Sequence, residues 1–471
     1  MISARKSLIL GAGKSGMAAA RLLCHVGSDV IVADQRPLPS LEKQREQIEE
    51  WGGTIHFGHQ QLPWGPFDLC VVSPGFSFQS DWVQAAYALS AQVLSELELG
   101  WSCMKARTLA ITGSNGKSTA VKWVTDAIQL AGQSSIAAGN YGRPVTDVCM
   151  DTPELDWLVL EVSSFQLETV HAFAPDIGMV LNLHPNHLDR HASFKEYADL
   201  KARLFSQMGE LAIAICPANE TDLWRERSAR QRAAWGAQRF GRSADTTSGP
   251  RWLKFDVESD TDSDTSHGDY HFSAGTVYKG AKTVADFRGT PFGEARLATT
   301  TVAVTAAFDQ MSLPVAHLVT AAQQFVPLPH RLEIVCERNG VMYINDSKST
   351  NSGSMAHAVK SYSRPVRLIA GGLPKESTYR NLKQLLTERV EKVYLIGKSK
   401  EQMLADWETV VDCVSCDTLA TAIAQVDADV KAGDVVLFSP GCASFDQYRN
   451  YEERGEHFKR LLNERPGKEQ K

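Results

Sequence analysis

Long uninterrupted apolar runs are missing from this chain of 471 residues. None reaches the length that a helix needs to cross a bilayer, so no membrane insertion is predicted. Surplus positive charge is missing too: 49 lysines and arginines face 55 aspartates and glutamates, a formal net charge of −6. Without a basic excess to neutralise phosphates, nucleic acid is not expected as the main partner. Cysteine is odd in number, nine in all, and scattered. That pattern predicts reduced thiols in a cytoplasmic setting and no disulfide framework. Cys413 and Cys416 have redox spacing but no second metal-spaced pair, and two incidental thiols are the plainer reading. The start of the chain runs straight into a strand-like Leu8-Ile-Leu10, with no signal peptide visible. What is abundant is apolar content, 43%, enough for several cores over about three domains.

The most informative stretch is Ala110-Ile-Thr-Gly-Ser-Asn-Gly-Lys-Ser-Thr119. A short apolar run meets a glycine-rich turn, which predicts a strand, a loop and a helix start. Backbone N–H groups in such a loop cradle phosphate oxygens. Lys117 is placed against terminal phosphates, and Ser118 or Thr119 as a ligand of Mg²⁺. The usual pattern has a glycine where Ile111 stands, so the loop is a shortened variant.

Upstream, Gly11-x-Gly13-x-x-Gly16 follows a strand and opens a helix, and Asp34 closes the next strand. This spacing is a diphosphate-binding fingerprint, with NAD, FAD or a UDP-sugar all open and a tight packing turn as the plain alternative. Apolar strands over 69–72, 157–160, 177–183 and 212–215, with helical patterns between, predict parallel sheets with crossover helices. Residues 242–270 break that rhythm. Their Asp-x-Asp-x-Asp run has the start of a calcium loop, but Thr265 and His271 stand where glycine and glutamate belong, so a solvated insertion is expected.

Several further residues sit after strands. Glu161 is placed to hold Mg²⁺. His187 lies in a histidine-rich loop without a familiar zinc spacing. Lys201 falls on a helix expected over 194–208; alone, it reads as an ordinary exposed lysine. Pro329-His-Arg331 opens a third α/β unit with strands at 332–336, 342–345, 366–370, 392–396 and 435–439. The loops Asn345–Asn351, Gly371–Lys375 and Ser439–Asp446 together suit a small anion.

These motifs, taken in order along almost the whole chain, closely resemble the Mur ligase family. The resemblance implies three α/β domains: an N-terminal Rossmann-like UDP-binding domain (1–101), a central P-loop ATPase-like parallel-sheet domain (102–328) and a C-terminal Rossmann-like glutamate-binding domain (329–471). It implies an ATP-dependent ligase that adds D-glutamate to UDP-N-acetylmuramoyl-L-alanine through an acyl phosphate, in peptidoglycan synthesis and hence cell-wall growth, shape and division. ATP then sits on Gly113, Ser114, Asn115, Gly116, Lys117, Ser118 and Thr119, with Arg331 and Asp346. Lys14, Ser15, Asp34, Arg36, Ser73, Gly75, Asn140 and His187 serve the UDP substrate. Ser118, Glu161, His187 and a carbamylated Lys201 serve two Mg²⁺ ions, and Lys117, Glu161, His187 and Lys201 carry the chemistry. Lys348, Thr350, Lys375, Ser444, Phe445 and Tyr451 form the glutamate pocket. A cytoplasmic monomer acting on small molecules is expected.

The chain departs from the family at Gly289–Thr300, where an ATP-contacting asparagine is usual, and at Leu373-Pro374. The alternatives are L-glutamate as the amino acid, or a nicotinamide-dependent oxidoreductase built on Gly11–Gly16. Folylpolyglutamate synthase shares a similar ATP loop but lacks the UDP-binding domain, and a non-catalytic nucleotide binder should lack Glu161, His187 and Lys348.

Overall fold

The computed structural model describes residues 4–37, 40–58, 61–63, 65–152, 154–184, 190–240, 249–258, 268–362 and 365–464, without the side chains of 234–240. His187 and the Asp-rich run 259–267 therefore lie outside the described residues. The chain divides into two compact units. One gathers residues up to Leu183 with Ser193–Phe325, and the other His184–Ala192 with the chain from Val326 onward.

The first unit holds two sheets. Strands β1 (Lys6–Leu10), β2 (Asp29–Asp34), β3 (Thr54–Phe57), β4 (Phe67–Val72) and β5 (Ser90–Ser95) form a five-stranded sheet in the order β3-β2-β1-β4-β5. All its pairs are parallel. β1 and β4 are buried along most of their length, as parallel strands covered on both faces must be. The order reverses between β1 and β4, and the crevice at such a switch point is where ligands bind.

The second sheet has nine strands: β6 (Arg107–Thr112), β7 (Ser135–Gly139), β8 (Trp157–Glu161), β9 (Ile177–Val180), β10 (Ile213–Pro217), β11 (Arg251–Val257), β12 (Tyr270–Ser273), β13 (Thr276–Lys279) and β14 (Lys282–Asp286). Their order is β14-β13-β12-β11-β10-β9-β6-β8-β7. β6 lies inside the sheet, flanked by β8 and β9. Its helix, Lys117–Leu130, buries Trp123, which stacks on Phe292 at 3.8 Å between ring centroids and donates its indole N–H to Leu318 O. A buried tryptophan needs that acceptor as much as its apolar contacts.

The expected insertion over 242–270 is corrected here. Residues 251–257 are not a break in the pattern but β11, parallel to β10, and the chain returns as β12 beside it. Leu253 and Phe255 are buried while Arg251 and Lys254 stay exposed, an interrupted pattern that a search for apolar runs passes over.

The second unit contains β15 (Glu333–Arg338), β16 (Val341–Asn345), β17 (Val366–Gly371), β18 (Val390–Ile396), β19 (Asp412–Asp417) and β20 (Val435–Phe438). Their order is β15-β16-β20-β17-β18-β19, with only the β15–β16 pair antiparallel. Placing β20 between β16 and β17 sets the three loops expected to form an anion pocket side by side. β19 carries Cys413 and Cys416. Their thiols donate to separate backbone carbonyls, Val411 O and Val414 O, and all nine cysteines are free. The incidental reading of that pair fits this arrangement.

Candidate active site

In the N-terminal sheet, Gly11, Gly13, Lys14, Ser15, Asp34, Gln35, Arg36, Ser73, Pro74, Gly75 and Phe76 line one cavity of about 460 Å³ at the switch point. The helix Lys14–His25 starts there with no side-chain cap at Gly13, so its first N–H groups are available to an anion. Gly16 has to be glycine, because a Cβ there would stand 1.8 Å from Gly11 O. Asp34 ties the walls together. It accepts from Ala12 N at 2.8 Å, Arg36 N at 2.9 Å, Arg36 Nε at 2.9 Å and Arg36 Nη2 at 2.7 Å. Burial opposes its charge, but the Arg36 side chain and these backbone donors hold the carboxyl below its usual range. Asp34 thus fixes Arg36 and the glycine loop as well as lining the cavity.

At the phosphate loop, Gly113 and Gly116 take φ of +146° and +84°, conformations that suit glycine. Gly116 heads the helix without a side-chain cap. Lys117 Nζ donates to Gly113 O at 2.8 Å and Ser114 O at 3.0 Å. Ser118 Oγ donates to Glu161 Oε2, and Asn140 Nδ2 donates to Glu161 Oε1 at 2.5 Å. Glu161 is 1% exposed. Serine hydroxyl and carboxylate oxygens facing one another are donors that suit Mg²⁺ better than a softer ion.

Lys201 corrects the reading of that position as an exposed surface lysine. It is 1% exposed and donates to Gly113 O at 2.9 Å and Thr112 Oγ1 at 3.2 Å. Burial, then the Lys117 ammonium, pushes its amine well below the usual lysine range, against the pull of Glu161. Lys117 and Lys201 share the Gly113 carbonyl as acceptor.

Two neighbours of this loop were not singled out by pattern. Asn182 Oδ1 accepts from Ser114 N at 3.1 Å and Asn115 N at 2.9 Å, while its Nδ2 donates to Asn115 O at 3.2 Å. One amide therefore splints the loop. Thr300 ends the divergent 289–300 segment, and its hydroxyl lies 2.8 Å from where a Gly116 Cβ would sit. The segment lies against the phosphate loop although it lacks the usual asparagine.

In the second unit, Asp346 follows β16. It accepts from Ser439 Oγ at 2.7 Å and Leu332 N at 3.2 Å, and burial pushes its carboxyl up to about 7 against those donors. Arg331 sits between His330 and Leu332, which take φ of +63° and +46°. Such values strain non-glycine residues. Lys348 Nζ stands 3.7 Å from the Tyr451 ring centroid, a cation–π contact. Ser444 is buried, Thr350, Lys375 and Tyr451 are half-buried, and Phe445 is exposed. Arg454 was not assigned a role by pattern. Its guanidinium, 1% exposed, donates to Ser347 Oγ at 3.1 Å, Ser347 O at 2.8 Å, Cys442 O at 3.1 Å and Ala443 O at 3.2 Å. Loss of water lowers even this guanidinium to about 10. Leu373 and Ala443 exchange backbone hydrogen bonds at 2.9 and 3.1 Å, which joins the third loop.

The expected residues thus fall into three clusters. The UDP-type residues line the N-terminal cavity, while Asn140 meets Glu161 at the phosphate loop. Lys117, Ser118, Glu161 and Lys201 converge at that loop. Asp346 lies at the carboxyl ends of β16 and β20, the ends from which the loops bearing Lys348, Ser444 and Tyr451 depart.

Comparison with known proteins agrees with this layout. Residues 5–95 match the profile of the Mur ligase MurD-like N-terminal domain, 111–277 that of the Mur ligase middle domain, and 330–442 that of the Mur ligase glutamate ligase domain. The chain is 34% identical to the UDP-N-acetylmuramoylalanine–D-glutamate ligase of Koribacter versatilis, over 100% of both chains. It is 33% identical to the ligase of that name from Salinibacter ruber, over 97% of each. Among solved structures, the UDP-N-acetylmuramate-alanine ligase MurC of Thermotoga maritima shares the fold, with a TM-score of 0.58 at 14% identity, covering 98% of this chain and 100% of that one. A bifunctional folylpolyglutamate synthase/dihydrofolate synthase from Yersinia pestis is also similar, at a TM-score of 0.55 and 15% identity, over 78% of this chain and 92% of that one. Matched in all three domains and aligned end to end with relatives above 30% identity, the chain belongs to the Mur ligase family, in the branch whose N-terminal domain is MurD-like.

Proposed function

We propose that this chain is an ATP-dependent ligase that joins D-glutamate to UDP-N-acetylmuramoyl-L-alanine in peptidoglycan precursor synthesis. The observation that carries the reading is the phosphate loop with Ser118 on a buried Glu161, in a chain whose full-length relatives are named D-glutamate ligases. The L-glutamate and oxidoreductase alternatives find no support: the relatives' names specify the D-enantiomer, and residues 5–95 match a MurD-like domain. The domain limits that fit this reading are 1–101, 102–328 and 329–471.

In this reading the cavity of Lys14, Ser15, Asp34, Arg36, Ser73 and Gly75 takes the UDP, with diphosphate at the helix start. Asn140 and His187 meet the acceptor. The triphosphate lies on Gly113–Thr119, with Arg331 and Asp346 as further contacts. Lys117 exchanges its carbonyl partners for phosphate oxygens. The alanine carboxylate of the acceptor attacks the γ-phosphorus, and ADP leaves. The glutamate amine, held by Lys348, Thr350, Lys375, Ser444, Phe445 and Tyr451, then attacks the acyl carbon, and phosphate leaves. Positioning and charge neutralisation carry most of the acceleration.

Ser118, Glu161, His187 and Lys201 would hold two Mg²⁺ ions, which supply charge neutralisation on the phosphates when bound. A buried amine kept neutral is the form that captures CO₂, giving a carbamate and releasing a proton. The burial of Lys201, which favours the neutral amine, supports it as that group. The proposed setting is a cytoplasmic monomer. No helix among the described residues is long and apolar enough to cross a membrane.

Phosphate release in mixtures of protein, ATP, Mg²⁺, UDP-N-acetylmuramoyl-L-alanine and either glutamate enantiomer tests the assignment. Release with D-glutamate is expected. Silence with both enantiomers would sink the ligase reading, and a preference for L-glutamate would overturn the stereochemistry.

A further inference from the structure

The run Ser163-Ser-Phe-Gln-Leu-Glu168 follows Glu161 at the end of β8. None of these six residues belongs to the proposed substrate or metal contacts. Ser163 N and Ser163 Oγ donate to Gln166 Oε1, each at 3.0 Å, and the chain turns there into a short helical segment, Gln166–Thr169. Arg203, on the helix Phe194–Ser206, donates to Leu167 O at 3.2 Å and Glu168 O at 2.5 Å. Lys201 precedes Arg203 by two positions, which face different ways on a helix. One helix therefore meets the phosphate loop through Lys201 and the run through Arg203.

The side chain of Glu168 reaches away from this sheet to the other one in the same compact unit. It is buried, and its Oε2 accepts from Phe78 N at 3.0 Å. Phe78 lies in the loop after β4, and Ser73, Pro74, Gly75 and Phe76 of that loop line the UDP-type cavity. Gln84 Nε2 donates to Phe78 O at 2.7 Å. Both backbone polar groups of Phe78 are thus held, the carbonyl from its own side and the N–H by Glu168. Two further fastenings of the loop stay with the N-terminal sheet: Ser73 Oγ donates to Gly11 O at 3.3 Å, and Phe76 stacks on Trp82.

We propose that Glu168 is a positioning residue for the acceptor, fixing the cavity loop Ser73–Phe78 against the chain segment that bears Glu161. The inference rests on the ligase reading, in which one acceptor spans from the cavity to the phosphate loop and its carboxylate must meet the γ-phosphorus in line. The cavity loop sets where the UDP end sits, and the segment from Glu161 to Glu168 is shared with the proposed metal site. Glu168 joins the two and acts through the loop, not on the reacting atoms. A shift between the anchor points carries the carboxylate off line, and a misplacement of about 1 Å by a remote change can cost about a hundredfold in rate.

The test measures, on the full-length protein, calorimetric binding of UDP alone and of a non-hydrolysable ATP analogue, and phosphate release against acceptor concentration. Each probe fills one anchor point only. In Glu168→Ala both binding constants should therefore stay within about twofold of wild type, while kcat/KM for the acceptor falls about tenfold to a hundredfold. Glu168→Gln keeps an oxygen that accepts from Phe78 N and should recover most of that loss, a rescue that general destabilisation would not give. Glu168→Met, similar in size but without the acceptor, should behave like the alanine variant and replaces it if that variant folds poorly. An unchanged kcat/KM in Glu168→Ala, or a loss of UDP binding as large as the loss of turnover, would overturn the proposal. A wild-type protein that binds the probes but releases no phosphate would overturn the ligase reading, and this proposal with it.

Discussion

Two buried ionisable side chains make sharp demands at the residue scale. Lys201 is an amine buried among carbonyl and hydroxyl oxygens, where loss of water pushes it well below the usual lysine range. Because a buried charge is costly and its loss is not, Lys201→Met should leave the melting temperature unchanged or higher. Phosphate release should nevertheless fall by about a hundredfold or more, as when one charge-stabilising group is lost from an active site. Lys201→Ala should regain part of its rate with added acetate, a free carboxylate in place of the carbamate; no rescue would count against that role. Asp346 makes the second demand. An unfolded aspartate ionises above about 4, whereas the folded chain keeps the proton on Asp346 up to about 7. Between those limits the folded state holds the extra proton, so this group's contribution is present in acid and fades as pH rises to neutrality. Urea unfolding should show the wild type losing more stability from about pH 5 to about pH 7.5 than Asp346→Asn; equal slopes would refute the protonated carboxyl. Sequence could not reveal either state. Lysine and aspartate are surface residues by default, and only long-range packing turns them into buried ones. Asn182, Thr300 and Arg454 were hidden for the same reason, since their partners lie far away in sequence.

Among elements, the contact of the helices Glu96–Ser102 and Val145–Asp151 leaves no room for a side chain at Gly100. Gly100→Ala pushes a methyl onto the Thr146 backbone and should destabilise by about 1–3 kcal/mol, the usual effect of overpacking. Thermal melting that is unchanged would mean the helices part easily. Glu96, buried and raised to about 7 by that burial, adds to the same pH trend as Asp346. The strands that carry the three sites were legible because their apolar runs are fully buried, as in β1, β4, β6, β8, β17 and β20. The edge strands β3 and β19 were not. β3 alternates exposed and half-buried residues, and β19 exposes half of its length, so neither leaves a hydrophobic signature. β11 was masked by the polar composition around it. Loop motifs fared better, because glycine and lysine at fixed spacing report local geometry that needs no distant partner.

For the whole molecule, the proposed residues divide between two compact units. The UDP-type cavity and phosphate loop lie in one, and Asp346, Lys348 and Tyr451 in the other. On the proposed assignment, turnover would require both units to act on one substrate set. X-ray scattering should show a smaller radius of gyration when a non-hydrolysable ATP analogue and the UDP substrate are present together; an unchanged radius would argue against closure. Arg454 bears on how such a step would proceed. A single guanidinium grips the backbone or hydroxyl of Ser347, Cys442 and Ala443, and the Ala443–Leu373 bridge adds the third loop. The proposed amino-acid pocket is thus built on three loops tied to one another. It can be presented or withdrawn, but hardly reshaped one loop at a time. Paired substitutions such as Lys348→Ala with Ser444→Ala should accordingly depart from additivity by about 0.5–3 kcal/mol in a double-mutant cycle on glutamate binding, and strict additivity would show that the loops yield separately. Such a pocket gains selectivity for one amino acid at the expense of adaptability to others.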